Sequence, residues 1–293
     1  MSKDHKEYQI DKDWIRNSFS NAAESYDSVA VLQKEVANRL IERLDFIKVD
    51  ASNLLDIGSG TGYCSELLCK KFSNLPIYAL DIAHGMVKFA RDKKSFFKKL
   101  RSQTKYVCGD VENLPIRSDS IDLAVSSLTL QWCFNLDLAF EEVRRVIKSD
   151  GLFIFATLGP DTLKELRHCW AQVDDSPHVS AFIDMHDIGD ALHRAGFSAP
   201  VMDVETITLT YSSVKDIMLD LKRLGSRNAL SGRARGLTGK KKMQDVMTSY
   251  ESYKKDGFFP ATYEIVYGHA WVGMETKIHQ NEKEFPIPVK VID

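Results

Sequence analysis

The sequence lacks the features that mark several large classes of protein. No apolar run approaches the roughly 18 residues of a membrane-spanning helix, so none is expected. The net charge of −2 offers no general attraction for nucleic acid or an anionic membrane, and neither is expected as a partner. The five cysteines are odd in number and irregularly spaced, which argues against a disulfide framework or a metal site. Met1–Glu7 is charged and has no apolar core, so we expect no secretory signal and a cytoplasmic protein.

A glycine-rich turn after an apolar run is the strongest positive signal. Residues 53–57 predict a buried strand, and Gly58, Gly60 and Gly62 then alternate before a helical pattern begins. Glycines let the backbone take unusual angles and lie directly against a ligand. The spacing is not the G-x-G-x-x-G of dinucleotide sites, and no Lys-Ser/Thr follows as in a phosphate loop. The motif resembles the S-adenosylmethionine-dependent methyltransferases of the Rossmann-like class, although taken alone it also fits a turn without a ligand.

Acidic residues follow the next two predicted strands. Asp81 ends the second apolar run, 23 residues after Gly58, where a carboxylate can accept hydrogen bonds from ribose hydroxyls. Asp110 follows the third run and can accept from an adenine amino group, while the backbone N–H of Val111 faces a ring nitrogen. Each acid alone is more often a loop or cap residue. Their positions at successive strand ends, together with the glycine turn, favour S-adenosylmethionine as the cofactor.

Strand and helix patterns alternate along the chain. The predicted strands are 53–57, 76–81, 105–108, 121–127, 151–157, 201–211 and 261–272. The predicted helices are 62–72, 84–94, 136–148 and 185–195, with a further amphipathic helix that includes Leu32 and ends near Lys48. The alternation predicts an α/β fold of the Rossmann-like, doubly wound type, with a mostly parallel seven-stranded sheet. Ligands are expected beyond the carboxyl ends of the strands.

Four regions are expected along the chain. Residues 1–50 are predicted to form an N-terminal helical cap, 51–212 the cofactor-binding core, 213–257 a helical lid insertion, and 258–293 the last core strand and a tail. The segment from 215 to 255 has eleven Lys and Arg against four Asp and Glu, a net charge of +7. This charge fits a solvated face, and it also fits a landing surface for an acidic partner.

Four segments of the chain carry a closer resemblance. They are Ser18–Asp27 with Leu32-Gln33, Ser127–Cys133, Thr157–Leu166 with His178 and Asp184–Asp187 beyond it, and Pro260–Glu264. In these segments the chain resembles the malonyl-[acyl-carrier protein] O-methyltransferases of biotin synthesis, over roughly residues 14–273. One departure is that the family commonly has Ser or Pro after the acid of the second strand, where this chain has Ile82.

The resemblance implies a reaction and a partner. A methyl group would pass from the sulfonium of S-adenosylmethionine to the free carboxylate of a malonyl thioester carried by acyl carrier protein. The methyl ester would then prime the assembly of pimelate for biotin. Because a carboxylate titrates near pH ~4, it is already ionised and no general base is expected.

The motifs and the resemblance together give the expected site residues. Contacts to the cofactor are expected from Gln33, Asp56, Gly58, Ser59, Gly60, Gly62, Asp81, Ile82, Met86, Asp110, Val111, Glu112 and Ser126. Tyr26, Gln131 and Trp132 are expected at the point of methyl transfer, although core packing is the alternative for Tyr26 and Trp132. Lys222 and Arg223 are expected to hold the malonyl carboxylate, while the carrier is expected to contact Arg233, Arg235 and Lys240. His178 and His186 are expected to be structural.

Two alternatives remain. The latter half also resembles the mitochondrial complex I assembly factor, which modifies an arginine, at Asp175–His178 and Pro160–Leu163. The absence of an Arg-rich amphipathic transit segment argues against that assignment. The second alternative is a regulator that binds S-adenosylmethionine without turnover, against which Tyr26, Gln131 and Trp132 argue mildly.

Overall fold

A seven-stranded sheet is the centre of the fold. The structure is a computed structural model that describes residues 11–93, 103–226 and 239–273. Its strands are β1 (Leu54–Ile57), β2 (Ile77–Asp81), β3 (Thr104–Cys108), β4 (Ile121–Ser127), β5 (Ile147–Leu158), β6 (Phe197–Tyr211) and β7 (Phe259–Val272). Their order across the sheet is β3-β2-β1-β4-β5-β7-β6. Neighbours among β1 to β5 pair in parallel, whereas β7 is antiparallel to both β5 and β6. The predicted fold class is confirmed.

Helices flank the sheet, and four of them begin at polar caps. The described helices are α1 (Lys12–Val29), α2 (Val31–Arg43), α3 (Tyr63–Lys71), α4 (His84–Lys93), α5 (Leu136–Val146), α6 (Lys164–Ala171), α7 (Met185–Arg194), α8 (Val214–Arg223) and α9 (Lys240–Tyr250). The side chains of Asp11, Asn135, Asp184 and Ser213 accept hydrogen bonds from backbone N–H groups in the first turns of α1, α5, α7 and α8. In the described part of the chain, no helix has the length and apolar character that crossing a membrane requires.

The two faces of the sheet carry separate apolar cores. On β5, Leu152 and Ile154 pack with α2 and α6 on one side, while Phe153 and Phe155 pack with α5 and α7 on the other. Side chains alternate between faces along a strand, so a continuous apolar run fills both cores at once. This arrangement leaves the strand ends as the place where polar groups can meet a ligand.

Helix α1 packs closely against α4 beside these strand ends. A Cβ at Gly85 of α4 would lie 2.5 Å from the backbone oxygen of Ser20 in α1, so only glycine allows this approach. The N–H of Gly85 also donates to Oγ of Ser20 at 3.2 Å. Ala23, Ala83 and Met86 form a small apolar cluster beneath the contact.

The predicted lid insertion is an expanded connection between two paired strands. Tyr211, the last residue of β6, pairs with Phe259, the first residue of β7, so the segment between them leaves and re-enters the sheet at one point. Its described part contains α8 and α9. Residues 227–238 and the predicted tail 275–293 lie outside the described residues, and the division into four regions stays a prediction.

Hydrogen bonds tie the insertion to the rest of the fold. Oγ of Ser18 in α1 donates to the carbonyl oxygen of Gly225 at 2.9 Å, and Oγ of Ser25 donates to the carbonyl oxygen of Arg223 at 3.0 Å. At the other end, Tyr250 of α9 is buried and donates to the carbonyl oxygen of Pro260 at 2.8 Å. The insertion is therefore anchored to α1 and to β7.

Gly85→Ala should weaken the docking of α1. We expect the free energy of unfolding to fall by about 1–3 kcal/mol, because the new methyl group must displace the backbone of α1. Urea unfolding followed by circular dichroism measures the change. Gly189→Ala is the matched control, since a Cβ there would meet Met202 at 3.5 Å, an ordinary contact. The control should keep or gain stability, by up to about 1 kcal/mol. Equal stability of the two variants would contradict the described packing.

Candidate active site at the carboxyl ends of the strands

The predicted ligand contacts meet at the carboxyl edge of the sheet. The glycine turn follows β1, Asp81 ends β2, Asp110 follows β3, and residues 128–132 follow β4. These segments line a cavity that we call the cofactor cavity. Of the predicted contacts, its walls contain Gly58, Gly60, Asp81, Ile82, Met86, Asp110, Val111 and Glu112.

The backbone angles of the glycine turn and its packing in the protein both require glycine. Gly58, Gly60 and Gly62 have φ values of +72°, +52° and +89°, which favour glycine. A Cβ at Gly58 would lie 1.9 Å from Oγ1 of Thr129, so the loop after β4 packs directly on the turn. A Cβ at Gly60 would meet no atom of the described residues within 4 Å. Gly58 is thus required by packing, whereas Gly60 is required by its backbone angle.

Asp81 is held rigidly at the end of β2. Its Oδ2 accepts from the N–H of Gly60 at 2.9 Å, and its Oδ1 accepts from the N–H of Ala83 at 2.8 Å. Burial raises the pKa of the Asp81 carboxyl, while the two N–H groups act to lower it. Each carboxylate oxygen retains a further lone pair, so the fixed group can accept from two ribose hydroxyls.

Lys12, the first residue of α1, binds both acids that follow β3. Its Nζ lies 2.7 Å from Oδ2 of Asp110 and 2.8 Å from Oε2 of Glu112. Burial acts to lower the pKa of Lys12, but the hydrogen bonds and charges of the two carboxylates outweigh it and raise the pKa. Lys12 also lines the cofactor cavity. No pattern in the sequence predicted this contact, which joins residues 98 positions apart.

A smaller cavity, here the turn cavity, lies between the glycine turn and the α1–α2 junction. Its walls include Asp27, Gln33, Ser59 and Gly60. Oε1 of Gln33 and Oγ of Ser59 are buried and have no hydrogen-bond partner among the described residues. Buried polar atoms are nearly always paired, so these two atoms fit a polar ligand such as the amino-acid part of the cofactor.

Asp27 is a wall residue of the turn cavity that the sequence did not predict. It accepts from Oγ1 of Thr61 at 2.6 Å and pairs with Nζ of Lys93 at 2.7 Å. Burial acts to raise the pKa of Asp27, but these bonds and the charges of Lys93 and Lys34 outweigh it and lower the pKa. An ionised carboxylate therefore lies where the ammonium group of an amino acid would be stabilised.

Three predicted cofactor contacts do not line these cavities. Asp56 lies beneath the turn, accepts from Oγ of Ser65 at 2.5 Å, and has its pKa raised to about 6 by burial. Gly62 precedes α3 and caps its start. Ser126 is fully buried, and its neighbour Ser127 lines the cofactor cavity instead, because adjacent strand residues face opposite sides. The structure thus gives Asp56 and Gly62 a supporting position and replaces Ser126 by Ser127.

A larger cavity of about 490 Å³, here the acceptor cavity, adjoins the cofactor cavity. It lies among α1, the loop after β4, β6 and the insertion, and its walls are mainly apolar, with Leu128, Leu158, Trp170, Leu209 and Met218 among them. Phe19, Tyr26, Leu128 and Trp132 line both this cavity and the cofactor cavity. A second substrate bound here would therefore meet the cofactor at these four residues.

Tyr26 marks the point where the cavities meet. Among the described residues, it is the one that lines the cofactor, turn and acceptor cavities together. Burial and the charges of Asp81 and Asp27 raise the pKa of its phenol above the ordinary value. The hydroxyl therefore stays neutral and can donate a hydrogen bond at the junction.

Gln131 and Trp132 shape the same junction in different ways. Nε2 of Gln131 donates to the carbonyl oxygen of Leu128 at 2.7 Å, and its Oε1 accepts from Oγ1 of Thr157 at 3.1 Å. Leu128 has a φ of +51°, so the amide of Gln131 holds a strained loop in place. The ring of Trp132 contacts Phe19 edge to face, with centroids 5.3 Å apart. Gln131 thus positions the loop, while Trp132 forms a wall.

The predicted cations are spread over the insertion. Lys222 lines the acceptor cavity and is exposed at its rim. Arg223 is exposed and is absent from the described cavity walls, whereas Lys240 is exposed at the start of α9. Arg233 and Arg235 lie outside the described residues. Lys222 is therefore the predicted cation with direct access to the acceptor cavity.

The two histidines are bound to carboxylates. Nε2 of His178 lies 2.7 Å from Oδ1 of Asp174, and its ring stacks on Trp170 with centroids 3.6 Å apart. Lys242 of α9 reaches Oδ2 of the same carboxylate at 2.8 Å, and this bond and that of His178 lower the pKa of Asp174 to about 2. His186 is exposed beside its cap residue Asp184. His178 thus forms part of the wall and helps to link α9 to the loop after α6.

Comparisons with known proteins give close relatives. A family model described as a methyltransferase domain matches residues 55–155. A malonyl-[acyl-carrier protein] O-methyltransferase of Gallionella capsiferriformans is 48% identical over 90% of this chain and 92% of its own length. A protein of the same name from Methylovorus is 50% identical over 90% of each chain. The YcgJ protein of Bacillus subtilis has a similar fold, with a TM-score of 0.57 at 16% identity over 81% of this chain and 98% of that chain.

Asp81→Asn should weaken binding of S-adenosylhomocysteine without unfolding the protein. The change removes the charge and one acceptor oxygen, so we expect a loss of about 1–3 kcal/mol, or about 5- to 150-fold in Kd. Isothermal calorimetry measures the affinity, with Asp92→Asn as an exposed control on α4. Unchanged affinity in Asp81→Asn would show that this carboxylate is not a ligand.

Proposed function

The chain belongs to the malonyl-[acyl-carrier protein] O-methyltransferase family, and we propose that it methylates the free carboxylate of malonyl-acyl carrier protein. Membership of this family confirms the resemblance seen in the sequence. S-adenosylmethionine is the methyl donor. The observation that carries the proposal is the identity of 48–50% over 90% of the chain to proteins of that name. The meeting of a cofactor cavity and an apolar acceptor cavity at Tyr26 supports it.

Methyl transfer to a carboxylate requires the protein mainly to align the reacting atoms. A carboxylate oxygen attacks the methyl carbon, the bond from that carbon to sulfur breaks, and the products are the methyl ester and S-adenosylhomocysteine. The nucleophile is already ionised at neutral pH, so no group has to remove a proton. The rate then depends on holding oxygen, carbon and sulfur in line and on excluding water. Helix α1 lines both cavities and the insertion lines the acceptor cavity, so both are placed to serve these tasks.

Tyr26 is proposed to orient the reacting carboxylate. Its neutral hydroxyl can donate to the oxygen that does not attack, without the strong pairing that a cation would impose. Trp132 and Phe19 would limit the space beside the methyl group. Gln131 acts through the loop that it holds, so we class it as a positioning residue.

Lys222 is proposed to attract the malonyl group to the acceptor cavity. It is exposed at the rim, so its charge is partly screened and would guide the substrate more than bind it. Arg223, which follows it in α8, would add to the same field. The weak pairing leaves the carboxylate free to react once it reaches Tyr26.

Acyl carrier protein is the proposed macromolecular partner, as the names of the relatives support. The methyl ester masks a charge, and this lets the malonyl group prime the chain that becomes pimelate for biotin. Arg233, Arg235 and Lys240 are proposed to contact the acidic carrier, within a segment of net charge +7. A cytoplasmic location, and no binding to nucleic acid or membrane, stay part of the proposal.

The decisive assay is methyl transfer to purified carrier-bound acceptors. We expect malonyl-acyl carrier protein to gain one methyl group by mass spectrometry, and butyryl-acyl carrier protein, which lacks the free carboxylate, to gain none. Tyr26→Phe should lower kcat more than it raises KM, because it removes a hydrogen bond at the junction. The absence of transfer to malonyl-acyl carrier protein by protein that binds S-adenosylmethionine would favour the regulator or the protein-modifying homologue.

Charge reversal tests the proposed docking of the carrier. Replacing Arg233, Arg235 and Lys240 together by Glu should lower kcat/KM for malonyl-acyl carrier protein at least about tenfold at low salt. Turnover of malonyl-coenzyme A, if it is accepted, should change little because that thioester lacks the docking contacts. Salt should weaken the wild type in the same direction, since it screens exposed charges.

The matched control is charge reversal at the opposite edge of the sheet. Lys48, Lys70 and Arg117 are exposed, and they lie near the amino end of β1, the end of α3 and the amino end of β4. The triple Glu variant at these positions carries the same change in net charge and should retain full activity. Equal losses in both variants would mean that net charge, and not the basic segment, guides the carrier.

A further inference from the structure

Lys12 has two properties that the predicted ligand contacts do not explain. Its ammonium group binds both Asp110 and Glu112, and its side chain forms part of the cofactor cavity wall. The side chain of Lys12 is 24% exposed, and those of Asp110 and Glu112 are 20% and 8% exposed. Ion pairs this sheltered are stronger than pairs on an open surface, so the ammonium group is fixed in position.

The fixed ammonium group has a hydrogen-bond donor to spare. A lysine ammonium carries three N–H donors, and the two carboxylates take two of them. Within residues 11–93, 103–226 and 239–273, no third acceptor binds Nζ of Lys12. Because Asp110 is the acid expected to bind the adenine amino group, a donor at this place would lie beside an edge of the purine.

We propose that Lys12 contacts the cofactor by donating its third N–H to the adenine ring nitrogen N7. Asp110 would accept from the adjacent amino group, and the backbone N–H of Val111 would donate to N1 on the other side of that amino group. N7 and the amino group lie next to each other on one edge of the purine. Lys12 and Asp110, which form one ion pair, likewise lie next to each other. The pair thus presents a donor next to an acceptor, a pattern that matches adenine and mismatches a purine with a carbonyl oxygen at that position.

Glu112 has a defined part in this arrangement. Its Oε1 accepts from the N–H of Phe134 at 2.6 Å, while its Oε2 holds Lys12. The loop after β4 therefore fixes Glu112, Glu112 fixes Lys12, and Lys12 places the donor. Glu112 is accordingly a positioning residue, in place of the direct contact expected from the sequence.

The test compares binding of S-adenosylhomocysteine with that of its 7-deaza analogue, in which C–H replaces N7. Calorimetry on the wild type should show the analogue binding about tenfold or more weakly, since it loses a hydrogen bond to a charged donor. Lys12→Met keeps the apolar stem of the side chain and removes the donor. We expect this variant to bind S-adenosylhomocysteine at least about tenfold more weakly and to discriminate little between the two ligands.

Arg16→Ala is the matched control, because Arg16 lies on the same helix in an exposed pair with Asp13 and is not part of the cavity wall. It should bind and discriminate as the wild type does. Equal affinity of the wild type for both ligands would overturn the contact to N7, and so would unchanged discrimination by Lys12→Met. The wild-type comparison stands even if Lys12→Met folds poorly. Because no methyl acceptor is present, the result is independent of the proposed reaction.

Discussion

The close approach of α1 to α4 at Gly85 is the contact on which the site depends. Helix α1 supplies Lys12, Phe19 and Tyr26 to the cofactor and acceptor cavities. The approach is possible because residue 85 has no Cβ, which would otherwise collide with the backbone of α1. The same helix receives the insertion through Ser18 and Ser25. Gly85 therefore allows the position of the helix that lines both the cofactor cavity and the acceptor cavity.

The charges around the cavities follow the chemistry of the two reactants. Asp27 lines the turn cavity, where its negative charge would stabilise an ammonium group, and Asp81 lines the cofactor cavity, where its oxygens would accept from ribose hydroxyls. The junction itself offers the neutral groups of Tyr26 and Gln33. Among the described residues, none of those that line both the cofactor and the acceptor cavity is a cation, so a carboxylate at the junction would keep its nucleophilic charge. The acids would thus attract the cationic methyl donor, while the neutral junction would leave the acceptor carboxylate unpaired.

The sequence predicted what local patterns encode and missed what distant contacts create. Strand periodicity, the glycine turn and the spacing to Asp81 are local signals, and the fold class that they indicated is confirmed. Ser127, and not the predicted Ser126, lines the cofactor cavity, because adjacent residues of a strand face opposite sides and the strand pattern alone does not say which side meets the ligand. Lys12 was missed because its partners lie 98 residues away or more in the chain. Likewise, the close packing of Thr129 on Gly58 is seen only in the folded chain, where two separate loops come together.

The pairing of Tyr211 with Phe259 separates the insertion from the register of the sheet. Because the segment leaves and re-enters the sheet at adjacent residues, its length and composition can change without disturbing the register of β6 and β7. It supplies Met218, Leu221, Lys222 and Met243 to the acceptor cavity. The described walls of the cofactor and turn cavities contain no residue of the insertion. A change in the insertion would therefore alter the walls of the acceptor cavity and leave the described walls of the other two cavities in place.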